Sequence, residues 1–140
     1  MIKFETIGGI EAAKINPTIT SDKAVKNYSF ITVEDILYIV MNTVNGDDSY
    51  VDDITFEAGE YLDGIDVKSL ENLKLIVDGK HITDGVADLT KGSTLIVAED
   101  GTLKTGTATD GVYFEVTDTG IRLTEAAVKV RVKVATGATA

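Results

Sequence analysis

Residues 127–134 read AVKVRVKV, and this stretch decides the fold class of the chain. Every second residue in it is valine, and the residues between the valines are basic: Lys129, Arg131 and Lys133. Side chains alternate between the two faces of a β-strand, so the pattern predicts a strand with one apolar and one cationic face. The cationic face has two interpretations. It is either an edge strand whose charge discourages pairing with other chains, or a strip that docks on an acidic partner.

The composition of the whole chain also favours strands. Valine, isoleucine and threonine make up 47 of the 140 residues, and these β-branched side chains suit a pleated sheet better than a helix. The length fits one domain, and no linker or long repeat divides the chain. We therefore expect an all-β, single-domain antiparallel fold, either a sandwich or a small barrel.

Local turn signals divide the chain into strands. Glu34-Asp35, Asp78-Gly79 and Asp100-Gly101 each separate two β-rich runs, and they predict three hairpins. At the first of these positions a helix is the alternative, because Thr32 and Asp35 have the spacing of a capping box. A further turn is predicted at residues 118–120.

One short helix is predicted near residues 66–73. Asp66 can cap its N-terminus, and Val67, Leu70 and Leu73 fall on one face. We expect residues 1–27 to form an N-terminal strand and an extended arm, residues 28–135 to form the β domain, and residues 136–140 to form a flexible tail.

The negative charge of the chain is concentrated in one stretch. The formal net charge is −10, and residues 44–66 contribute −8 because they contain eight carboxylates and no lysine or arginine. Within this stretch, the candidates for binding a basic partner are Asp47, Asp48, Asp52 and Asp53. Calcium binding is the alternative, since this ion takes about six to eight oxygen ligands, although the ordered ligand spacing of an EF-hand is absent.

Several kinds of chemistry find no support in the sequence. The chain has no cysteine, so it has no disulfide, thiolate metal site or cysteine nucleophile. Its single histidine, His81, is not accompanied by the G-x-S-x-G motif that presents a nucleophilic serine. The glycines at 106–111 are not followed by the lysine of a phosphate-binding loop. We expect no catalytic residues, no cofactor and no metal. The excess of acidic over basic residues argues against nucleic-acid binding. No stretch has the roughly 18 apolar residues of a membrane span or the pattern of a secretion signal.

The middle and the end of the chain resemble the small head decoration proteins, or cement proteins, of tailed bacteriophages. The resemblance covers roughly residues 28–135 and is one of pattern, not of a diagnostic motif. Three segments carry it: GDDSYVDDITFEAGEYLDGIDVKSLENLKLIVDGKHI, KGSTLIVAEDGTLKTG and VYFEVTDTGIRLTEAAVKVRVKV.

This resemblance implies a mainly β protein without enzymatic activity. Such a protein would bind the major capsid protein on the outer surface of the virion, after synthesis in the host cytoplasm. It would stabilise the assembled shell by bridging neighbouring capsid subunits, and it would form a homotrimer. Two alternatives are a tail-tube or other structural tail protein and, from another class, a calcium-binding β adhesion module.

Overall fold

The structure is a computed structural model that describes residues 2–4, 13–41, 54–123 and 125–137. The described part contains twelve β-strands and two short 3₁₀ helices, at Val67–Leu70 and Gly79–His81. The strands are β1 (Ile2–Phe4), β2 (Lys14–Ile19), β3 (Val25–Lys26), β4 (Phe30–Val33), β5 (Ile36–Val40), β6 (Thr55–Phe56), β7 (Leu62–Asp66), β8 (Lys74–Asp78), β9 (Thr94–Val97), β10 (Leu103–Thr105), β11 (Asp110–Arg122) and β12 (Ala126–Thr136).

These strands form three sheets. Sheet A has six strands in the order β1-β8-β12-β11-β9-β10, sheet B has four in the order β2-β7-β5-β4, and sheet C is the pair β3-β6. Neighbouring strands within each sheet run antiparallel. Sheets A and B pack face to face around a shared core. The predicted all-β antiparallel fold is therefore confirmed, and it takes the form of a sandwich.

Strand β12 has the two faces that its alternating sequence predicts. Val128, Val130 and Val132 are buried, and the basic residues between them lie on the opposite face. The strand pairs with β11 on one side and with β8 on the other. Because burial of each valine side chain stabilises a protein by about 1.5–3 kcal/mol, β12 is a major contributor to the core.

The main hydrophobic core fills the space between sheets A and B. Sheet B contributes Phe30, Ile39 and Ile65, and sheet A contributes the inward side chains of its central strands. Phe30 and Phe114 meet across the two sheets with their ring centroids 5.3 Å apart and their planes at 66°. This edge-to-face arrangement is the one that aromatic quadrupoles favour, so the pair helps to hold the sheets in register.

Sheet B is buried on both of its faces. Along β5, Ile39 points toward sheet A, whereas Tyr38 and Val40 point the other way into a second apolar cluster. Val25 of β3 and Phe56 of β6 pack against that cluster. Sheet C therefore packs on the face of sheet B that points away from the main core.

Two of the three predicted hairpins are present. β4 and β5 pair across Glu34-Asp35, and both turn residues have positive φ, 51° and 67°. β9 and β10 pair across a turn that contains Gly101, with φ 85°. Two-residue hairpin turns require positive φ, which explains the geometry at the first turn. The helix alternative for this segment is wrong.

The hairpin predicted at Asp78-Gly79 is also wrong. Asp78 ends β8, and the chain continues as a 3₁₀ turn over Gly79–His81 before Ile82 makes a parallel bridge to Leu103. β8 pairs with β1 and β12 instead, because its apolar residues are buried in the sandwich between these two distant strands. Similarly, no turn occurs at residues 118–120, where register shifts interrupt a continuous β11.

The helix predicted near residues 66–73 is present as a single 3₁₀ turn, Val67–Leu70. Asp66 caps it as predicted, since its Oδ1 accepts a hydrogen bond from the backbone N of Lys68 at 3.0 Å. The apolar residues at both ends of the turn are fully buried. The chain then reverses at Asn72, which has φ 69°, and enters β8, so a second helical turn does not form.

The described part of residues 1–27 belongs to the sandwich instead of forming an arm. The predicted first strand is present as β1, and β2 and β3 pair with β7 and β6. Ile2, Ile19 and Val25 of these strands are buried. At the other end, β12 extends to Thr136, and residues 138–140 of the predicted tail lie outside the described residues. Within the described ranges, no helix has the length and apolarity to cross a membrane.

Candidate docking face on sheet A

The outer face of sheet A, which points away from the core, is basic, and we call it the basic face. Strand register places six cationic side chains on it, together with three carboxylates, Asp78, Glu115 and Asp118, of which Asp78 is fully buried. The formal net charge of these side chains is therefore +3. The cations are Lys3, Lys74, Lys104, Lys129, Arg131 and Lys133.

The cations come together because three rows of paired residues cross the strands. Side chains that are paired on one face lie about 4.5–5.5 Å apart at Cβ, so each row is continuous. The rows contain Lys3, Ile76, Lys129 and Asp118 in the first, Lys74, Arg131, Glu115 and Thr94 in the second, and Lys133 with Tyr113 in the third.

The edge-strand interpretation is wrong for Lys129 and Arg131. β12 lies between β8 and β11, so there is no open edge at Lys129 or Arg131 to protect. Arg131 also lies directly opposite Lys74, and like charges in this position destabilise a sheet. Stability of the fold does not explain this concentration of charge. The arrangement favours the second interpretation, a strip that docks on an acidic partner.

Two described contacts hold cations of the face in position. Lys74 Nζ lies 4.0 Å from Asp118 Oδ2, and both side chains are partly exposed. An ion pair of this kind contributes only about 0–1 kcal/mol. Arg131 Nη1 donates a hydrogen bond to the backbone O of Asn72 at 3.2 Å, which orients the guanidinium without neutralising it.

Apolar side chains lie among the cations. Ile76, Ile96 and Tyr113 are half-buried on this face and belong to neither core cluster. Lys3 and Lys104, on the two edge strands, are exposed. Tyrosine and arginine are enriched in protein interfaces, whereas lysine is depleted there, so Tyr113 and Arg131 are the residues of this face that best suit a protein contact.

The sequence identified only half of these cations. Lys129, Arg131 and Lys133 were found because they alternate with valine along one strand. Lys3 and Lys74 were missed because they reach the same face through pairing of strands that are about 50–70 residues apart in sequence. The only local signal was a lysine between apolar residues in short strands such as IKF.

The candidate acidic residues Asp47, Asp48, Asp52 and Asp53 lie outside the described residues. The stretch between residues 41 and 54 begins at the end of β5 in sheet B and ends at the start of β6 in sheet C. Farther along the acidic stretch, Glu57 and Glu60 are described and exposed, and they follow β6. No group of three or more histidine, aspartate or glutamate side chains among the described residues could hold a metal ion.

A concave region lies between β4 and the β9–β10 turn. It is a cleft of about 1210 Å³. His81 borders it from the 3₁₀ turn after β8, not from the predicted hairpin strand, and contacts the ring of Tyr28 edge-on at 5.5 Å. The cleft is lined by charged side chains of both signs, which are Asp22, Lys23, Lys26, Lys80, Glu99 and Asp100. The cleft therefore lacks the charge bias of the basic face.

Comparisons with protein-family models, with curated proteins and with solved structures find no match for the chain. The assignment of function below therefore starts from the geometry of the basic face and from the sequence.

Proposed function

We propose that the protein is a structural virion protein that binds the outside of an assembled phage capsid and stabilises it by bridging neighbouring capsid subunits. The observation that carries the proposal is the basic face, a net-positive outer face of sheet A on a chain whose net charge is −10. The function is binding without turnover. The resemblance of residues 28–135 to head decoration proteins supports the capsid as the partner.

The dimensions of the basic face allow a modest protein contact. The six strands of sheet A contain 39 residues, and at about 3.3 Å along and 4.8 Å across the strand for each residue they present about 600 Å². This area is somewhat below the roughly 800 Å² that each partner buries in a standard interface.

Stabilisation of the shell follows from linkage. Contacts that span two subunits of the major capsid protein exist only in the assembled shell, so each bound copy favours the assembled state over the dissociated one. The acidic remainder of the chain keeps free copies soluble before they bind. In this proposal the protein is made in the host cytoplasm and acts on the outer surface of the virion, as a homotrimer.

Co-sedimentation with cognate phage heads tests the proposal. The protein should pellet with assembled heads and not with unassembled capsid subunits. Decorated heads should also release their DNA at a higher temperature than bare heads. Failure to bind any cognate head, or binding without a gain in thermal resistance, contradicts the proposed function.

Two variants with the same net charge test the contribution of the basic face. The first carries Lys129→Glu, Arg131→Glu and Lys133→Glu. The control carries Lys14→Glu, Lys23→Glu and Lys68→Glu, which change three exposed lysines elsewhere. We expect head binding to fall at least about tenfold for the first variant only, since reversed charges at an interface are repulsive. Equal losses in both variants would show that only total charge matters.

A further inference from the structure

We infer that the outer edge of β4 binds an extended peptide segment of a partner protein, which adds to sheet B as a fifth, antiparallel strand. Apolar and basic residues alternate along this segment. The site is independent of the proposed capsid function, because it lies in the cleft beside β4 and not on the basic face. Its support comes from the hydrogen bonding of β4, from the protection of the other sheet edges, and from the charges that line the cleft.

The backbone of β4 has unused hydrogen-bonding groups on its outer edge. A two-residue turn joins β4 to β5, so Ile31 and Val33 bond to β5 and the backbone groups of Phe30 and Thr32 point the other way. Phe30 N follows this alternation, since it donates to Gly101 O at 2.9 Å. Thr32 N and O have no backbone partner among the described residues, because β4 is the last strand of sheet B. An added strand would continue the ladder at Thr32.

The other three edges of sheets A and B carry features that discourage pairing. β1 and β10 each have a central lysine, Lys3 and Lys104, and Leu103 O in β10 already accepts from Thr83 N at 2.7 Å. β2 contains Pro17 and a register shift. Lysine, proline and irregular register are devices that protect sheet edges. β4 reads FITV and pairs with β5 in unbroken register, so it has none of them.

The cleft beside β4 has room for this strand. Residues 20–27 line one side of it, and residues 97–102 of the β9–β10 hairpin line the other. A strand residue occupies about 160 Å³, given a rise of about 3.3 Å, a strand spacing of about 4.8 Å and a sheet separation of about 10 Å. Four residues opposite β4 therefore need about 640 Å³, which is roughly half of the 1210 Å³ of the cleft.

The two sides of the cleft select different side chains. Ile31 and Val33 pack against the second apolar cluster, on the side of sheet C, so the added strand is apolar on that face. Thr32 is exposed on the opposite face, toward sheet A. On that side the charged residues that line the cleft are Glu99 and Asp100, which are both exposed. Basic side chains on this face of the added strand complement them.

The remaining charges support the same orientation. Asp22, Lys23 and Lys26 line the side of the cleft next to sheet C and have a formal net charge of +1. Lys80 borders the cleft from the 3₁₀ turn after β8, near the start of β4. Basic side chains are therefore favoured only on the side of the β9–β10 hairpin.

NMR titration of the ¹⁵N-labelled full chain with the peptide acetyl-VKVKVKV-amide tests the inference. In antiparallel pairing the peptide residue opposite Thr32 is a lysine, because it shares the face of Thr32, and its N–H and C=O bond to Thr32. N-methylation of the peptide's lysine amides should weaken binding at least about tenfold, since it removes these donors. N-methylation of the two inner valines, whose N–H groups point away from β4, should change the affinity by less than about twofold.

Two further readouts concern the protein itself. Saturation with the peptide should slow hydrogen exchange of the Thr32 amide at least about tenfold. Thr32→Pro should abolish binding, because it removes the outward donor at a position where an edge strand tolerates proline. Thr32→Ala retains the backbone N–H and should bind like the wild type. The control peptide acetyl-VEVEVEV-amide should bind at least about tenfold more weakly than the lysine peptide.

Four results would overturn the inference. The first is no binding of the lysine peptide, and the second is equal sensitivity to methylation at lysine and at valine. The third is a folded Thr32→Pro variant that binds like the wild type. The fourth is protection of the Thr32 amide that rises with protein concentration in the absence of peptide, which would assign the edge to a second copy of the chain. If Thr32→Pro does not fold, the methylated peptides still decide, because they leave the protein unchanged.

Discussion

Tyr28 combines a left-handed backbone with complete burial. Its φ is 65°, and its side chain is 1 % exposed. A left-handed conformation costs a residue other than glycine about 1–2 kcal/mol, so packing must hold Tyr28 in place. Its backbone N donates to Val40 O at 2.7 Å, and its ring contacts His81. The residue thus links sheet B to the 3₁₀ turn after β8.

Because of this conformation, we expect a glycine variant at position 28 to be more stable than an alanine variant, which is the reverse of the usual order. Tyr28→Ala should destabilise the protein by about 3–5 kcal/mol through loss of the buried ring. Tyr28→Gly loses the same ring but relieves the backbone, so we expect it to be about 0.5–1 kcal/mol more stable than Tyr28→Ala in urea unfolding. Val130→Ala and Val130→Gly, in extended β12, are the controls. There the alanine variant should be the more stable one.

Asp100 provides a pH-dependent prediction. The hydroxyl and the backbone N of Thr102 donate to its Oδ1 at 2.6 and 3.0 Å, and these hydrogen bonds lower the pKa of the carboxyl below its ordinary value of 3.8. A lowered pKa in the folded state means that the ionised carboxylate stabilises the fold above pH 3.8, and that this contribution is lost as the pH falls through the folded pKa.

The carboxyl ¹³C shift of Asp100, followed by NMR titration, measures this effect. Thr102→Val removes the hydroxyl and should raise the pKa of Asp100 toward 3.8. Asp100→Asn should make unfolding stability less dependent on pH in the acid range. An unchanged titration in the Thr102 variant would contradict the assigned cause.

At the scale of elements, we expect substitutions in the β4–β5 turn to stabilise the protein. Glu34 and Asp35 both have positive φ, which Asn-Gly adopts at lower cost. Glu34→Asn combined with Asp35→Gly should therefore stabilise the protein by about 0.5–2 kcal/mol in chemical unfolding. Glu34→Pro is the opposing control, because proline fixes φ near −65° and should destabilise the hairpin. A neutral or negative effect of Asn-Gly would mean that the turn tolerates its present residues without strain.

Elements with a complete local signal could be predicted from the sequence. The alternation in β12, the cap at Asp66, and the turns at Glu34-Asp35 and Asp100-Gly101 each depend on residues close together in the chain. Asp78-Gly79 has equally good turn chemistry, yet no hairpin forms there. β8 instead finds partners at residues 2–4 and 127–131, and the free energy of burial between them outweighs a local turn preference.

The candidate site follows the same division. Its three cations on β12 could be read from one strand, and their exposure to a common face is a direct result of alternation. Lys3, Lys74 and Lys104 lie on the basic face because of the order of strands in sheet A, and no local pattern encodes that order. The internal position of β12 at Lys129 and Arg131, which removes the edge-strand interpretation for these two residues, depends on it as well.

At the scale of the whole molecule, residues 1–27 should be essential for folding. They contain Ile2, Ile19 and Val25, which are buried in the two clusters. Burial of each stabilises the protein by about 1.5–3 kcal/mol, and a domain is typically stable by only about 5–15 kcal/mol. A chain that begins at residue 28 should therefore lose cooperative thermal unfolding by circular dichroism. A cooperative transition in that chain would restore the interpretation of these residues as a dispensable arm.

The central position of β8 also has a consequence for synthesis of the protein on the ribosome. Val77 pairs with Ile2, made long before it, and with Val128, made about 50 residues after it. At roughly 5–20 residues per second, about 3–10 s pass between translation of β8 and translation of its second neighbour. During this interval the nascent chain presents an apolar strand with one side unpaired, so slower translation would lengthen its exposure to aggregation and its need for a chaperone.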